Sequence, residues 1–165
     1  MNKVYLSLGG NLNNRRKNLV QACSLIMNEI GTIQIQSMVY ETEAWGFDNA
    51  PAFYNQVIFL TTELSPQEIL KKIVEIESGF GRIRSRENKY ISRVMDIDIL
   101  FYNNEVIDLP GLKIPHPSLH LRKFILVPLN EISPDLLHPV LLQPVKRLLQ
   151  ECSDDKWVKP VSELM

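Results

Sequence analysis

A strand followed by a helix can be read directly in residues 53–79, FYNQVIFLTTELSPQEILKKIVEIESG. The run Phe53–Thr62 is rich in β-branched and aromatic side chains and predicts a strand. Ser65, Pro66 and Glu68 then occupy the N-cap, N1 and N3 positions of a helix, where the serine and the glutamate can form a capping box. Apolar residues at helical spacing continue to the glycine that closes the segment, so the segment forms a strand–helix unit.

The residues before this unit predict a similar arrangement. Residues 3–8 form a short apolar strand that stops at a glycine pair, Gly9-Gly10, which we interpret as a tight turn. A helix follows from about Asn14 to Ile30, and residues 32–41 alternate like a half-buried strand. The apolar positions of the helix share one face: Leu19, Ala22, Cys23, Ile26, Met27 and Ile30.

After the unit, a buried strand is predicted over Val94–Tyr102, with a turn at residues 103–104 and a stretch broken by prolines up to Pro117. Two helices are predicted near the end of the chain, at about Lys123–Asn130 and Pro144–Glu151. The order strand, helix, strand, strand, helix, strand is the split-βαβ, ferredoxin-like arrangement. We therefore expect an α+β fold, a ferredoxin-like βαββαβ core. Its helices pack on a mostly antiparallel sheet, and a C-terminal helical extension follows, all within one domain spanning residues 1–165.

The composition excludes several classes of protein. Hydrophobic residues make up 45% of the chain and charged residues 22%, which is typical of a globular domain. The net charge of −1 argues against a broad nucleic-acid surface. No apolar run approaches membrane-spanning length and no signal peptide is visible, so we expect a cytoplasmic protein without a membrane partner. Cys23 and Cys152 have neither zinc-ligand nor redox-motif spacing, and a disulfide between them stays open.

The sharpest chemical feature is the sequence Met95-Asp96-Ile97-Asp98-Ile99. On a strand, Asp96 and Asp98 point to the same face, roughly 7 Å apart along the chain. Two like charges on one face of a sheet are costly unless a cation compensates them. Mg²⁺ binds one or two carboxylates and completes its octahedron with water and phosphate oxygens. An isolated Asp-x-Asp pattern also occurs on the solvent face of ordinary edge strands. The neighbouring residues must therefore decide between a metal site and a solvent-exposed pair.

Those neighbours are basic. Arg82 and Arg84 follow a glycine-rich turn, and Arg93 stands just before the aspartates. Guanidinium groups bind phosphate oxygens in pairs, so carboxylate-bound Mg²⁺ and several arginines are the groups that phosphoryl transfer needs. His116 lies between two prolines, and Arg122 opens a predicted helix; both can reach a phosphate. A solvated charged loop and a structural histidine are the alternative interpretations.

Three further side chains suit a flat heterocycle. Phe53 and Asn55 alternate outward on one face of their strand, and Phe124 lies at the start of a helix. An aromatic ring can stack on a planar ligand, and an amide can pair with its hydrogen-bonding edge. Core packing is the alternative for Phe124, and Phe53 and Asn55 carry little weight by themselves.

Taken together, these motifs resemble one family, 6-hydroxymethyl-7,8-dihydropterin pyrophosphokinase of folate synthesis. The likeness extends from Tyr5 to about Leu136. Its most specific pieces are Gly81-Arg82-Ile83-Arg84, Arg93-Val94-Met95-Asp96-Ile97-Asp98-Ile99-Leu100 and Ile114-Pro115-His116-Pro117, supported by Tyr40-Glu41-Thr42 and Phe53-Tyr54-Asn55. The resemblance implies that the chain transfers pyrophosphate from ATP to the hydroxymethyl group of a reduced pterin and releases AMP. It also implies three mobile loops that close over the substrates.

The resemblance further implies a set of site residues. Two Mg²⁺ ions would be bound by Asp96 and Asp98, and Arg82, Arg93, Asp96 and Asp98 would be catalytic. ATP would be bound by Glu77, Arg82, Arg84, Tyr90, Arg93, Ile99, His116 and Arg122. The pterin would be bound by Thr42, Glu43, Trp45, Phe53, Asn55 and Phe124. We expect no nucleic-acid partner and a monomer.

The chain departs from the family pattern at a few positions. Tyr90-Ile91-Ser92 stands where Trp-Gly-Pro is usual, which alters the loop before Arg93. Phe53 replaces a common tyrosine, and Glu43 and Trp45 replace smaller apolar residues, so the wall of the pterin pocket differs. None of these changes removes a predicted metal or phosphate ligand.

Three other functions are compatible with a ferredoxin-like fold. An RNA-binding module would need exposed aromatic residues and a basic face, and neither is evident. An inert pterin-binding scaffold would have no use for a buried acidic pair. A two-metal nucleotidyltransferase remains an enzymatic rival, distinguished by release of pyrophosphate in place of AMP.

Overall fold

The computed structural model describes residues 1–44, 50–81 and 93–162. Its strands are β1 (Asn2–Gly10), β2 (Thr32–Gln36), β3 (Tyr40–Thr42), β4 (Phe53–Thr62), β5 (Asp96–Tyr102), β6 (Ile107–Leu109), β7 (Leu112–Ile114) and β8 (Val158–Pro160). Its α-helices are α1 (Arg15–Glu29), α2 (Pro66–Gly79), α3 (Lys123–Ile132) and α4 (Val145–Glu151). A 3-10 turn at Leu119–Leu121 precedes α3.

The main sheet runs β5-β1-β4-β3-β8, with β2 paired to the other end of β4. Every pairing within it is antiparallel. The long strands β1 and β4 are central, and β2 and β3 together fill the position beside β4. This order confirms the predicted α+β fold with an antiparallel sheet, and it is consistent with the ferredoxin-like arrangement.

The two faces of the sheet are covered by different helices. Alternate residues of β1, such as Leu6 and Leu8, pack with α1 and α2 in one core. The opposite face packs Tyr5, Val57 and Phe101 against α3 and α4 in a second core. The C-terminal extension therefore packs on the face that the first two helices leave free.

Local sequence explains where α1 and α2 begin. The Asn14 side chain accepts a hydrogen bond from the Lys17 amide, so Asn14 is the N-cap of α1. Ser65 and Glu68 form the predicted capping box, with the Ser65 amide donating to the Glu68 carboxylate at 2.7 Å. Cys23 lies in the core as predicted, and both cysteines are free, so no disulfide joins them.

The structure corrects four predictions. The strand predicted over residues 32–41 is divided, because the Ser37 amide and hydroxyl bond Val57 in the gap between β2 and β3. It is also more exposed than expected, with Ile35 at 44%, and Met27 of α1 lies 52% exposed. The pair Gly9-Gly10 continues β1 and makes no turn. In addition, the hairpin β6–β7 and the C-terminal strand β8 were not predicted.

Candidate active site

The strand register brings the predicted site residues into one row across the sheet. Asn55 of β4 lies opposite Gly9 of β1, and Gly9 lies opposite Asp96 of β5. Ser7 lies opposite Asp98 in the next row on the same face. Asp96 and Asp98 are both half-buried, whereas Ile97 between them faces the helix core. The predicted pterin-side amide and the acidic pair therefore share one face, about 10 Å apart across two strand spacings.

The glycine pair is required by close approach of neighbouring groups. A Cβ on Gly9 would lie under 3.0 Å from the Asn55 side-chain oxygen, and one on Gly10 would lie equally close to the Val94 carbonyl. No flexible side chain can move aside at Val94, because the obstacle is main chain. The glycines therefore let Asn55 lean over β1 and let the segment before β5 lie against the end of β1.

Arg93 is held beside the acidic pair by both its side chain and its main chain. Its Nη1 donates to Asp96 Oδ2 at 2.9 Å, and the two side chains are 12% and 23% exposed. The Arg93 amide donates to the Asn11 side-chain oxygen at 2.8 Å, and the Arg93 carbonyl accepts from the Asn11 amide at 2.9 Å. A guanidinium thus lies next to a candidate metal ligand before any substrate binds.

Glu77 lies at the last turn of α2 and is 1% exposed. Its carboxylate accepts a hydrogen bond from the Ile97 amide at 2.8 Å. Ile97 is the residue between the two aspartates, so Glu77 anchors β5 from behind the acidic pair. We predicted this acid as a nucleotide ligand; the structure shows it bound to the strand that carries the aspartates.

His116 presents a defined tautomer. The Ser118 amide donates to His116 Nδ1 at 3.1 Å, so the ring proton of the neutral imidazole is on Nε2. Burial, and to a smaller extent the Arg122 guanidinium, lower the pKa of His116 from 6.5 to about 4, although the Asp96 carboxylate opposes the shift. His116 is therefore neutral at pH 7 and lies within electrostatic reach of Arg122 and Asp96. A neutral Nε2–H can donate to a phosphate oxygen.

The pterin-side residues form a second group on the same face. The Asn55 amide donates to the Thr42 hydroxyl at 2.5 Å, and both side chains are buried. Thr42 lies opposite Phe53, which is half-buried. At the start of α3, the guanidinium of the N-cap residue Arg122 lies 5.9 Å from the centroid of the half-buried Phe124 ring.

Two predicted ligands present their side chains elsewhere. The Glu43 carboxylate contacts Lys156 Nζ at 3.3 Å and the Trp157 amide at 3.4 Å, so it faces the segment that leads into β8. Ile99 packs in the core beneath α1 and α2. Trp45, Arg82, Arg84 and Tyr90 lie outside the described residues.

The donor set is compatible with Mg²⁺. Across residues 1–44, 50–81 and 93–162, no group of three or more His, Cys, Asp and Glu side chains is arranged to hold a metal ion. Asp96 and Asp98 would thus leave most coordination positions to phosphate oxygens and water, which is how Mg²⁺ is usually bound with nucleotides.

Sequence reasoning missed Asn11 and Arg15. Asn11 is 3% exposed and bonds Pro51 as well as Arg93. Arg15 donates to the Ala52 carbonyl at 2.8 Å. The sequence carries a weak signal for Asn11, since asparagine side chains in turns often bond nearby main chain, but nothing local identifies its partners.

None of the helices in the described part of the chain is both long and apolar enough to cross a membrane. The family profile described as 7,8-dihydro-6-hydroxymethylpterin-pyrophosphokinase (HPPK) matches residues 5–134. A relative from Aquifex aeolicus, named 2-amino-4-hydroxy-6-hydroxymethyldihydropteridine pyrophosphokinase, is 42% identical over 151 residues, covering 92% of each chain. A relative of the same name from Porphyromonas gingivalis is 40% identical over 138 residues, covering 82% of this chain and 93% of its own.

Solved structures show the same fold. The crystal structure of Plasmodium falciparum HPPK-DHPS wild type with STZ-DHP superposes with a TM-score of 0.73 at 20% identity. The match covers 91% of this chain and 43% of that longer one. With the profile match and two relatives of at least 40% identity, the chain belongs to the 7,8-dihydro-6-hydroxymethylpterin pyrophosphokinase family.

Proposed function

We propose that this chain transfers the terminal pyrophosphate of ATP to the hydroxymethyl group of 6-hydroxymethyl-7,8-dihydropterin, giving AMP and the dihydropterin diphosphate for folate synthesis. Family membership supports the reaction, because the closely similar relatives are named for this activity. The observation that carries the assignment is the row Asn55–Gly9–Asp96. It sets an amide able to read a heterocycle about 10 Å from an acidic pair able to hold a metal–phosphate complex, on the same face of the sheet.

Asp96 and Asp98 are the metal ligands in this proposal, with two Mg²⁺ ions expected. Bound Mg²⁺ would neutralise charge on the triphosphate and orient its oxygens. Arg93 already occupies one oxygen of Asp96. Its guanidinium is thereby placed to exchange that carboxylate for a phosphate oxygen when the metal complex arrives.

The remaining phosphate contacts come from residues around the acidic pair. His116 would donate from Nε2, since Nδ1 accepts the Ser118 amide. Arg122 would supply a second guanidinium, and Arg82, Arg84 and Tyr90 complete the proposed set. Ile99 is buried, so its contact with ATP would be through main chain. Glu77 belongs to the nucleotide side as the anchor of β5.

The pterin would lie on the β4 side of the row. Asn55 would present its side-chain carbonyl oxygen, and one N–H of its side-chain amide donates to the Thr42 hydroxyl. Phe53 and Phe124 would provide apolar contact, with Trp45 as a further proposed wall. Glu43 would contribute its main chain, because its carboxylate is bound to Lys156 and Trp157.

The chemistry is an in-line displacement. The hydroxymethyl oxygen forms a bond to the β-phosphorus of ATP, and the bond from that phosphorus to the oxygen bridging to the α-phosphate breaks. AMP leaves with that oxygen, and the hydroxyl proton passes to water. The protein residues position the two reactants and neutralise phosphate charge, which accounts for most catalysis of this type. Closure of the active site would exclude water.

The deciding assay mixes the protein with ATP, Mg²⁺ and 6-hydroxymethyl-7,8-dihydropterin and separates the nucleotides by chromatography. We expect AMP in equal amount to the pterin diphosphate. Formation of ADP would refute pyrophosphoryl transfer, and release of free pyrophosphate with nucleotide joined to the pterin would favour a nucleotidyltransferase.

The metal assignment is tested with isosteric variants. Asp96→Asn and Asp98→Asn should each lower kcat by at least about a hundredfold, because an amide lacks the charge that holds Mg²⁺. Asp108→Asn is the matched control, since Asp108 is exposed on the hairpin β6–β7 away from the row. Wild-type turnover in either site variant would remove the acidic pair from the mechanism.

We also propose that residues 1–165 act as a single domain and a monomer. The C-terminal strand β8 joins the sheet beside β3, so the end of the described chain is part of the same layer. Light scattering after size-exclusion chromatography tests this, and a stable dimer that alone is active would contradict it.

A further inference from the structure

Asn11 occupies a position between the two halves of the proposed site. Its side chain is 3% exposed and follows the glycine pair at the end of β1. The side-chain oxygen accepts the Arg93 amide at 2.8 Å, and the side-chain nitrogen donates to the Pro51 carbonyl at 3.0 Å. One planar amide thus joins two segments that are distant in sequence.

The two segments serve different substrates in the proposed reaction. Pro51 lies two residues before Phe53 and four before Asn55, the residues on the pterin side. Arg93 lies three residues before Asp96 and is ion-paired to it on the phosphate side. A shift of either segment must therefore be transmitted to the Asn11 amide or break one of its bonds.

Asn11 makes two hydrogen bonds to the main chain of Arg93, one through its side chain and one through its main chain. The Asn11 main-chain amide donates to the Arg93 carbonyl at 2.9 Å, so Arg93 is held through both of its peptide groups. Gly10 lets the Val94 carbonyl come close beside this contact. Buried polar groups that lose a partner are costly, so the linked arrangement is favoured as a unit.

We propose that Asn11 is a positioning residue that couples nucleotide binding to pterin binding. This inference depends on the proposed function, because it assigns Pro51 and Arg93 to the two substrates. When one substrate fixes its segment, the Asn11 amide fixes the other segment, and the second substrate binds more tightly. Coupling of this kind is reciprocal and is measured as one factor for both ligands.

The experiment measures that factor by calorimetry on the full chain. The probes are the α,β-methylene analogue of ATP with Mg²⁺, in which the bond to be broken is blocked, and 6-hydroxymethylpterin. The coupling factor is the analogue's Kd alone divided by its Kd at saturating pterin. We expect a factor of roughly 5 or more in the wild type.

Asn11→Ala and Asn11→Asp should both reduce the factor to below about 2. The aspartate keeps an oxygen for the Arg93 amide and loses the N–H that Pro51 accepts, so it tests the link itself. Its added charge changes the Kd values with and without pterin alike and leaves their ratio to report the coupling. If the alanine variant does not fold, as judged by its Tm, the aspartate variant decides.

Arg15→Ala is the matched control. Arg15 also holds the segment before β4, through the Ala52 carbonyl at 2.8 Å and the Glu41 carboxylate at 3.1 Å, but these bonds do not reach Arg93. It should weaken pterin binding and keep the wild-type coupling factor. If Asn11 had only a structural role, the Asn11 variants and Arg15→Ala would either all have a lower coupling factor or all keep the wild-type one.

The possible outcomes distinguish failure of the proposed role of Asn11 from failure of the proposed function. Absence of AMP formation by the wild type would overturn the proposed function. AMP formation with no coupling in the wild type, or with coupling intact in Asn11→Asp, would overturn the role of Asn11 and leave the function standing.

Discussion

Replacing Glu77 by leucine should destabilise the protein and disturb the acidic pair without touching either aspartate. The carboxylate is 1% exposed and accepts the Ile97 amide at 2.8 Å. Leucine fills a similar volume beside the helix core but cannot accept a hydrogen bond. The substitution therefore isolates the loss of a buried acceptor from the creation of a cavity.

The expected magnitude follows from that hydrogen bond. A hydrogen bond contributes about 0.5–1.5 kcal/mol, and the abandoned Ile97 amide costs about 1–3 kcal/mol when it stays buried. These terms overlap, so we expect a loss of roughly 2–3 kcal/mol in the free energy of unfolding. For a domain of this size the Tm should fall by about 5–10 °C.

The consequence for activity is a displacement of β5. Because Ile97 lies between Asp96 and Asp98, movement of its main chain moves both carboxylates. Misplacement by about 1 Å can reduce a rate by about a hundredfold. We expect kcat to fall by at least about tenfold in Glu77→Leu at temperatures where the variant stays folded.

Glu77→Gln provides the control, because its side-chain oxygen can still accept the Ile97 amide. Thermal unfolding and steady-state AMP formation should place it much closer to the wild type than the leucine variant. Equal losses in both variants would show that the negative charge matters and the hydrogen bond does not. A leucine variant with wild-type Tm would refute the anchoring role.

Three further predictions follow from the same contacts. Gly10→Ala should lower kcat by at least about tenfold with a smaller change in the KM for pterin, because a Cβ there collides with the Val94 carbonyl and moves the segment that carries Arg93; steady-state kinetics measure both. His116 should titrate near pH 4 by NMR. Since its folded pKa lies below the ordinary 6.5, its contribution to stability is present above pH 6.5 and is lost as the pH falls towards 4, by up to roughly 3 kcal/mol. Ser65→Ala should cost about 1 kcal/mol in urea unfolding through loss of the cap, and the pKa of Glu68, which the Ser65 hydrogen bonds lower, should rise.

Each of these has a contrary result. A Gly10→Ala enzyme with unchanged kcat would mean that the segment before β5 moves aside at no cost. A titration of His116 near 6.5 would mean that its ring is not shielded from water. An unchanged midpoint for Ser65→Ala would mean that the start of α2 does not depend on its capping box.

Local sequence was sufficient for the elements whose patterns repeat over short distances. Residues Phe53–Thr62 and the Ser65–Glu68 cap were predicted with the bounds that the structure has. The common face of Asp96 and Asp98 was also predictable, because alternation along a strand is a property of the chain itself. The motifs around the aspartates then indicated the family before any contact was known.

Only the tertiary structure decided how these pieces meet. The partner of Glu77, the two segments joined by Asn11 and the capture of Glu43 by Lys156 all link residues at least 20 positions apart. The need for glycine at position 9 arises from Asn55, which is brought alongside by the register of β1 and β4. Such contacts depend on strand register, strand order and packing. A local sequence pattern therefore does not predict which distant group lies beside a given side chain.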